Sequence, residues 1–230
     1  MGRYKTVLFD ADNTLFDFTL AEREAIALTM REFGIEPSEA RIALYSSIND
    51  EMWKRLERGE ITKEALRVAR FSDFLKEIGV TADATTMADS YVAALSLQSH
   101  PIKGALELVG ALKPHCRLYI VTNGIASVQH RRFAASVFKP YFDGLFISEE
   151  IGFEKPHAAF FEAVARAIPG FDAATTLMVG DSLTSDIAGG VAAGLDTCWY
   201  NPRGAENSRK LPITYTVSTI EEILPLVLST

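Results

Sequence analysis

Residues 4–14 read Tyr4-Lys5-Thr6-Val7-Leu8-Phe9-Asp10-Ala11-Asp12-Asn13-Thr14. The apolar run that ends at Phe9 is too short for a helix and stops abruptly at an acid. It reads as a strand buried on both faces, as in a parallel sheet. A lone strand leaves its backbone groups unpaired, so its partners must lie elsewhere in the chain. They are found after Pro101. Arg117 to Val121, Asp143 to Ile147, Thr176 to Val179, Thr197 to Tyr200 and Thr214 to Val217 are short apolar runs rich in strand-forming residues. Helical patterns lie between them, including Ala158 to Ile168 and Ser185 to Ala193. Alternation of this kind predicts an α/β chain built on a parallel sheet covered by helices on both faces.

Between the first strand and the rest, from Phe18 to Gln98, the periodicity is helical throughout. Ile26, Met30 and Phe33 recur at i, i+4 and i+7, and Gly34 follows as a stop. A second helix is expected from about Ser38 to about Arg58, a third after Thr62, whose hydroxyl can cap it, and a fourth from Asp83. The helical stretch is therefore an insertion after the first strand. The expected domains are a core of residues 1–16 and 101–230 and an inserted helical domain of residues 17–100. The crossings lie near Phe16–Phe18 and Ser99–Gly104.

A chain of 230 residues buries roughly 70% of its unfolded surface, enough for a sizeable core without disulfides or structural metal. With 48% hydrophobic and 23% charged residues, neither a disordered chain nor a coiled coil is expected. Apolar runs are too short for a membrane span, and the start of the chain runs into a strand rather than a signal peptide. A net charge of -7 lacks the basic footprint of a duplex nucleic-acid binder. The two cysteines, Cys116 and Cys198, lie in strand-like segments and read as buried free thiols of a cytoplasmic protein.

Chemistry concentrates where strands end. Asp10 and Asp12, two apart in extended chain, point the same way at the carboxyl end of the first strand. In open α/β sheets that edge is where ligands bind. Two carboxylates so close need a cation between them or a proton on one. A solvated loop acid would explain either alone; the pair at the end of an apolar strand favours function. Gly180-Asp181-Ser182-Leu183-Thr184-Ser185-Asp186 again follows a strand and opens a helix. Capping accounts for Asp186 as readily as function does, and less readily for Asp181. Such hard oxygens suit Mg²⁺. Thr122-Asn123-Gly124 can cradle a phosphate or simply turn the chain. Lys155, ordinarily a solvated charge, stands at the start of an expected helix near the same edge.

These four segments in this order resemble the haloacid dehalogenase superfamily: Asp10-Ala11-Asp12-Asn13-Thr14 its first motif, Thr122 its second, Lys155 its third, and Gly180-Asp181 with Asp186 its fourth. The resemblance implies a Rossmann-like core and a cap of four-helix type. Within the cap, Asn49, Trp53, the stretch from Glu57 to Thr62, and Arg70-Phe71 are similar to the pyrimidine nucleotidase subgroup. It implies a phosphatase with Asp10 as nucleophile and Asp12 as acid and base. Mg²⁺ would be held by the Asp10 carboxylate, the Asp12 carbonyl and Asp181, with Asp186 in support. Thr122, the Asn123 backbone and Lys155 would hold the phosphoryl oxygens, while Asn49, Trp53 and Arg70 would meet the leaving group. The partner implied is a small phosphorylated metabolite, a nucleoside monophosphate first.

Four other readings compete. A dehalogenase of this fold has no acid at position 12, so Asp12 speaks for phosphate chemistry. A phosphomutase on sugar phosphates uses the same aspartate pair. A protein phosphatase needs an open site, which a helical cap of this size disfavours. An inactive binding module would have lost one of Asp10, Asp12, Lys155 or Asp181, and all four are present.

Overall fold

The computed structural model describes residues 2–228. β1 (Thr6–Phe9) is followed by α1 (Phe18–Glu32), α2 (Glu39–Glu57), α3 (Lys63–Glu77) and α4 (Ala84–Leu95). Next come α5 (Ala105–Leu112), β2 (Arg117–Thr122), α6 (Ala126–Ala135), β3 (Gly144–Ile147), α7 (Ser148–Ile151) and α8 (Ala158–Ala167). The chain ends with β4 (Thr176–Gly180), α9 (Ala188–Ala192), β5 (Asp196–Tyr200), β6 (Tyr215–Val217) and α10 (Ile223–Leu228). Two compact units result: one runs to Asp17 and resumes at Ser99, and the other is Phe18–Gln98. Among the described residues no helix is long and apolar enough to cross a membrane.

In the first unit six strands pair in parallel in the order β3-β2-β1-β4-β5-β6. The period of two assigns the faces. Val7 and Phe9 stand in register with Leu118 and Ile120 on one side and Leu177 and Val179 on the other. These residues pack under α5 and α10, with Leu108, Val109, Ile223 and Val227. Leu8, Tyr119, Val121 and Met178 face the opposite way and pack against Phe160, Phe161 and Val164 of α8. Both faces are thus dry, which is why the strands read as continuous apolar runs. The neighbours of β1 are β2 and β4, so the strand order turns about β1, the kind of crevice where such sheets bind ligands. Cys116 and Cys198 are free and buried, and burial pushes their thiols up to about 11 and about 12.

One expected helix differs. Instead of a single helix over Ser185–Ala193, a π-helical turn, Leu183–Ile187, leads into α9. The amide of Ile187 donates to the Ser182 carbonyl at 3.1 Å, a bond spanning five residues. This wider turn carries Asp186 inward, where its side chain is 1% exposed.

The second unit contains four helices and no strand. Three are capped by the residues their sequence advertises. Ser38 accepts from the Arg41 amide, Thr62 from that of Ala65, and Asp83 from those of Thr85 and Thr86, each supplying an acceptor to an otherwise unpaired first-turn donor. Its interior holds Tyr45, Phe71, Phe74 and Tyr91, all fully buried, with ring centroids 5.2 to 5.8 Å from Tyr45. Phe71 and Phe74 are therefore packing residues of this interior.

Candidate active site

At the carboxyl edge of the sheet, Asp10 follows β1 and extends its ladder, its amide donating to Val179 at 2.8 Å. Thr122 ends β2, and Asp181 follows β4. Lys155 reaches this edge from the loop between α7 and α8. It does not begin a helix; α8 starts at Ala158 with His157 as its cap, because the ring of Pro156 disfavours helical backbone angles at the residue before it.

The Lys155 ammonium is the hub. It donates to Asp10 Oδ1 at 2.6 Å, to Asp186 Oδ1 at 2.7 Å and to the Val121 carbonyl at 2.7 Å. All three of its hydrogens are thereby engaged. Burial alone would lower its pKa, but the Asp10 and Asp186 carboxylates outweigh burial and hold it above the usual lysine range. Asn123 straps the loop in place: its amide donates to the Lys155 carbonyl at 2.9 Å and accepts from the Lys155 amide at 2.8 Å. The Asn123 side chain thus serves Lys155, and the Gly124 amide is spent on the Thr122 hydroxyl at 3.0 Å.

Asp10, Asp181 and Asp186 each bring a carboxylate oxygen within 4.8 Å of the others. Burial pushes the Asp10 carboxyl up to about 7 against the pull of Lys155, and Asp186 and Asp12 push it further the same way. Burial, then Asp10 and Asp186, also raise Asp181 well above its ordinary value. Three carboxylates against one ammonium leave the cluster short of positive charge, and every donor is a hard oxygen. A divalent cation of the magnesium kind fits such a set. The Asp181 carbonyl is anchored by the Trp199 indole at 2.8 Å. Gly180 is required beside it, since a Cβ there would lie 2.3 Å from Asp186 Oδ2. Asp186 is more than a helix cap: besides Lys155 it accepts from the Ser182 amide at 3.1 Å.

Asp12 stands apart from the lysine. Its carboxylate accepts from Gln129 at 2.7 Å and from the Arg132 guanidinium. Neither α6 residue was among those expected. Their signal was faint: two long polar side chains interleaved with Ile125, Val128 and Phe133, on turns where an amphipathic helix would place apolar residues.

The cap residues behave differently. Asn49 is fully buried and Arg70 is 1% exposed, inside the four-helix unit. The Asn49 amide donates to Glu22 at 2.7 Å and accepts from Arg70 at 2.8 Å. The Arg70 guanidinium also lies 4.7 Å from the Tyr91 ring centroid. Trp53 is half-buried, with the Lys63 ammonium 5.9 Å from its ring centroid. Glu22, which sequence reading passed over, is the acid that Asn49 and Ser46 satisfy.

The sequence profile of the haloacid dehalogenase-like hydrolases matches residues 4–194. The chain is 40% identical to the HAD-hydrolase YfnB of Bacillus subtilis, covering 97% of this chain and 95% of that protein. It is equally, 40%, identical to the pyrimidine 5'-nucleotidase PynA of Streptococcus pneumoniae, over 96% of this chain and 94% of the relative. Identity is 30% to the pyrimidine 5'-nucleotidase YjjG of Escherichia coli, over 98% of both chains. The magnesium-bound crystal structure of YfnB superposes with a TM-score of 0.92, covering 96% of this chain and 97% of that one. The sheet edge that gathers Asp10, Lys155, Asp181 and Asp186 therefore belongs to an enzyme of the haloacid dehalogenase-like hydrolase family.

Proposed function

We propose that the chain is a Mg²⁺-dependent phosphomonoester hydrolase that passes through an aspartyl-phosphate and acts on nucleoside 5'-monophosphates, pyrimidine ones first. The observation that carries the hydrolase chemistry is the pairing of Asp10, gripped by Lys155, with a second acid at position 12 that has no contact to that lysine. In this reading Asp10 attacks phosphorus as the ester P–O bond breaks, and Asp12 gives its proton to the departing oxygen. Water then attacks the aspartyl-phosphate, Asp12 takes its proton, and phosphate leaves with Asp10 restored. Lys155 fixes one oxygen of Asp10 and sets positive charge beside the reacting phosphorus. Thr122 and the Asn123 backbone hold phosphoryl oxygens. Asp10, Asp181 and the Asp12 carbonyl would hold the Mg²⁺, with Asp186 in support. When bound, it supplies the charge the carboxylate cluster lacks and counters that of the phosphoryl group.

The substrate reading is supported by the two pyrimidine 5'-nucleotidases among the relatives. Of the three cap residues expected to meet the leaving group, half-buried Trp53 is the one proposed to do so; Asn49 and Arg70, buried and hydrogen-bonded to each other within the helical unit, are instead part of its interior. The test is a release assay for inorganic phosphate across nucleoside monophosphates and sugar phosphates, with Mg²⁺ and with EDTA. Fastest release from pyrimidine nucleotides, abolished by EDTA, is expected. A sugar phosphate that outperforms every nucleotide overturns the nucleotidase reading alone, and undiminished turnover in EDTA overturns the metal.

A further inference from the structure

Asp12 is held by a device that the phosphatase reading does not require. Gln129 donates to Asp12 Oδ2 at 2.7 Å, and Arg132 donates from Nη2 to Oδ1. The same Nη2 donates to Gln129 Oε1 at 3.1 Å, closing a triangle. The Arg132 side chain is 0% exposed and lies with its guanidinium carbon 4.7 Å from the centroid of Phe16. Among the described residues its Nε and Nη1 have no hydrogen-bond partner. A buried guanidinium is costly unless matched by a carboxylate, and the one this arginine meets is Asp12. Gly124 gives an independent indication that the arrangement is built in. Its φ is not in the left-handed region, so conformational freedom does not explain it. Space does: a Cβ on residue 124 would lie 2.0 Å from Gln129 Nε2, the atom that reaches Asp12.

We propose that Gln129 and Arg132 are positioning residues that together grip both oxygens of Asp12 and fix the orientation in which it trades a proton with the leaving oxygen, and that Gly124 is a glycine to let Gln129 through. This rests on the reading of Asp12 as proton donor. Each carboxyl oxygen carries two lone pairs, so one donor on each leaves a site on each for the proton. Both donors come from successive turns of α6, which begins two residues after Gly124. The helix that follows the Thr122 turn thereby orients the acid on β1.

The experiment compares phenyl phosphate with 4-nitrophenyl phosphate, whose departing oxygen needs little help from an acid. Asp12→Asn should depress kcat/KM, which runs only through departure of the leaving group and not the later attack of water, far more for phenyl phosphate than for nitrophenyl phosphate; an equal loss of kcat/KM on both removes the premise itself. Given that premise, Arg132→Met and Gln129→Leu should each lower kcat/KM on phenyl phosphate by roughly 10- to 100-fold, with kcat/KM on nitrophenyl phosphate little changed. Arg132→Lys should recover part of the loss. Added to Asp12→Asn, neither should cost anything more. Gly124→Ala should reproduce the Gln129→Leu defect, and the two together should be no worse than either. If Arg132→Met proves unstable, Gln129→Leu and Gly124→Ala carry the test, since neither removes a buried charge. Equal losses of kcat/KM on both esters would overturn the inference and make Arg132 a substrate ligand or a packing residue.

Discussion

Gly180 illustrates how much of this site depends on single atoms. A methyl group there would sit 2.3 Å from Asp186 Oδ2 and 2.5 Å from Asp186 Cβ. Asp186 has no room to retreat, because Lys155 and the Ser182 amide hold its two oxygens. Gly180→Ala should therefore displace Asp186, loosen Lys155 and weaken Mg²⁺ binding by about 10-fold or more, the usual scale for disturbed supporting contacts around a metal. Calorimetric titration with Mg²⁺ checks this; an unchanged affinity would show that the cluster does not depend on Asp186. At this scale the sequence was informative wherever a polar residue followed an apolar strand, as at Asp10, Thr122 and Asp181. It was fainter where the polar residue sat on a helix. Gln129 and Arg132 look like solvated side chains until α6 is seen to present them to Asp12, a contact across more than 100 residues.

The helical insertion carries its own polar interior. Glu22, Asn49 and Arg70 form a buried hydrogen-bonded chain across three helices, with Arg70 Nε and Nη2 lacking partners among the described residues. Burial raises the Glu22 carboxyl, and its hydrogen bonds to Ser46 and Asn49 oppose that rise. Removing one end strands the charge at the other. Arg70→Met alone and Glu22→Gln alone should each cost roughly 3 kcal/mol of stability, and the double variant less than their sum. Urea melts of the isolated proteins measure this; strict additivity would mean the two ends do not communicate through Asn49. The helix starts in this unit were legible because Ser38, Thr62 and Asp83 announce them chemically. The π-helical turn at Leu183–Ile187 was not, since an i+5 bond differs from an i+4 bond by a slip of one acceptor and leaves no residue signature. That Asn49 and Arg70 face each other was equally hidden, because helix periodicity assigns a face without naming the partner across it.

For the whole molecule, net charge misleads. A total of -7 argues against an anionic ester, yet local charge decides, and the three acids at the sheet edge are of a kind that a divalent cation fits. The consequence for stability has a definite sign. The folded state keeps a proton on the Asp10 carboxyl that the unfolded chain releases, its value moving from 3.8 up to about 7, and Asp181 moves the same way. The folded state thus binds more protons, and the metal-free protein should lose stability as pH rises through that window. Mg²⁺ competes with those protons, so it should raise Tm more at pH 8 than at pH 5. Thermal melts in EDTA and in Mg²⁺ at both values test this; an equal Mg²⁺ shift at the two would contradict it. The α/β class was readable at this scale because alternating strands and helices are a matter of composition along the chain. The strand order was not, since nothing local tells β1 that β2 and β4 will flank it.

The chain has two tryptophans, and they are divided evenly. Trp53 lies in the helical unit and Trp199 in the sheet unit. Because the Trp199 indole donates to the carbonyl of Asp181, its ultraviolet emission is expected to respond to changes at the acid cluster. Trp53→Phe would leave Trp199 as the sole indole fluorophore, an optical gauge of cation arrival that needs neither a dye nor a substrate.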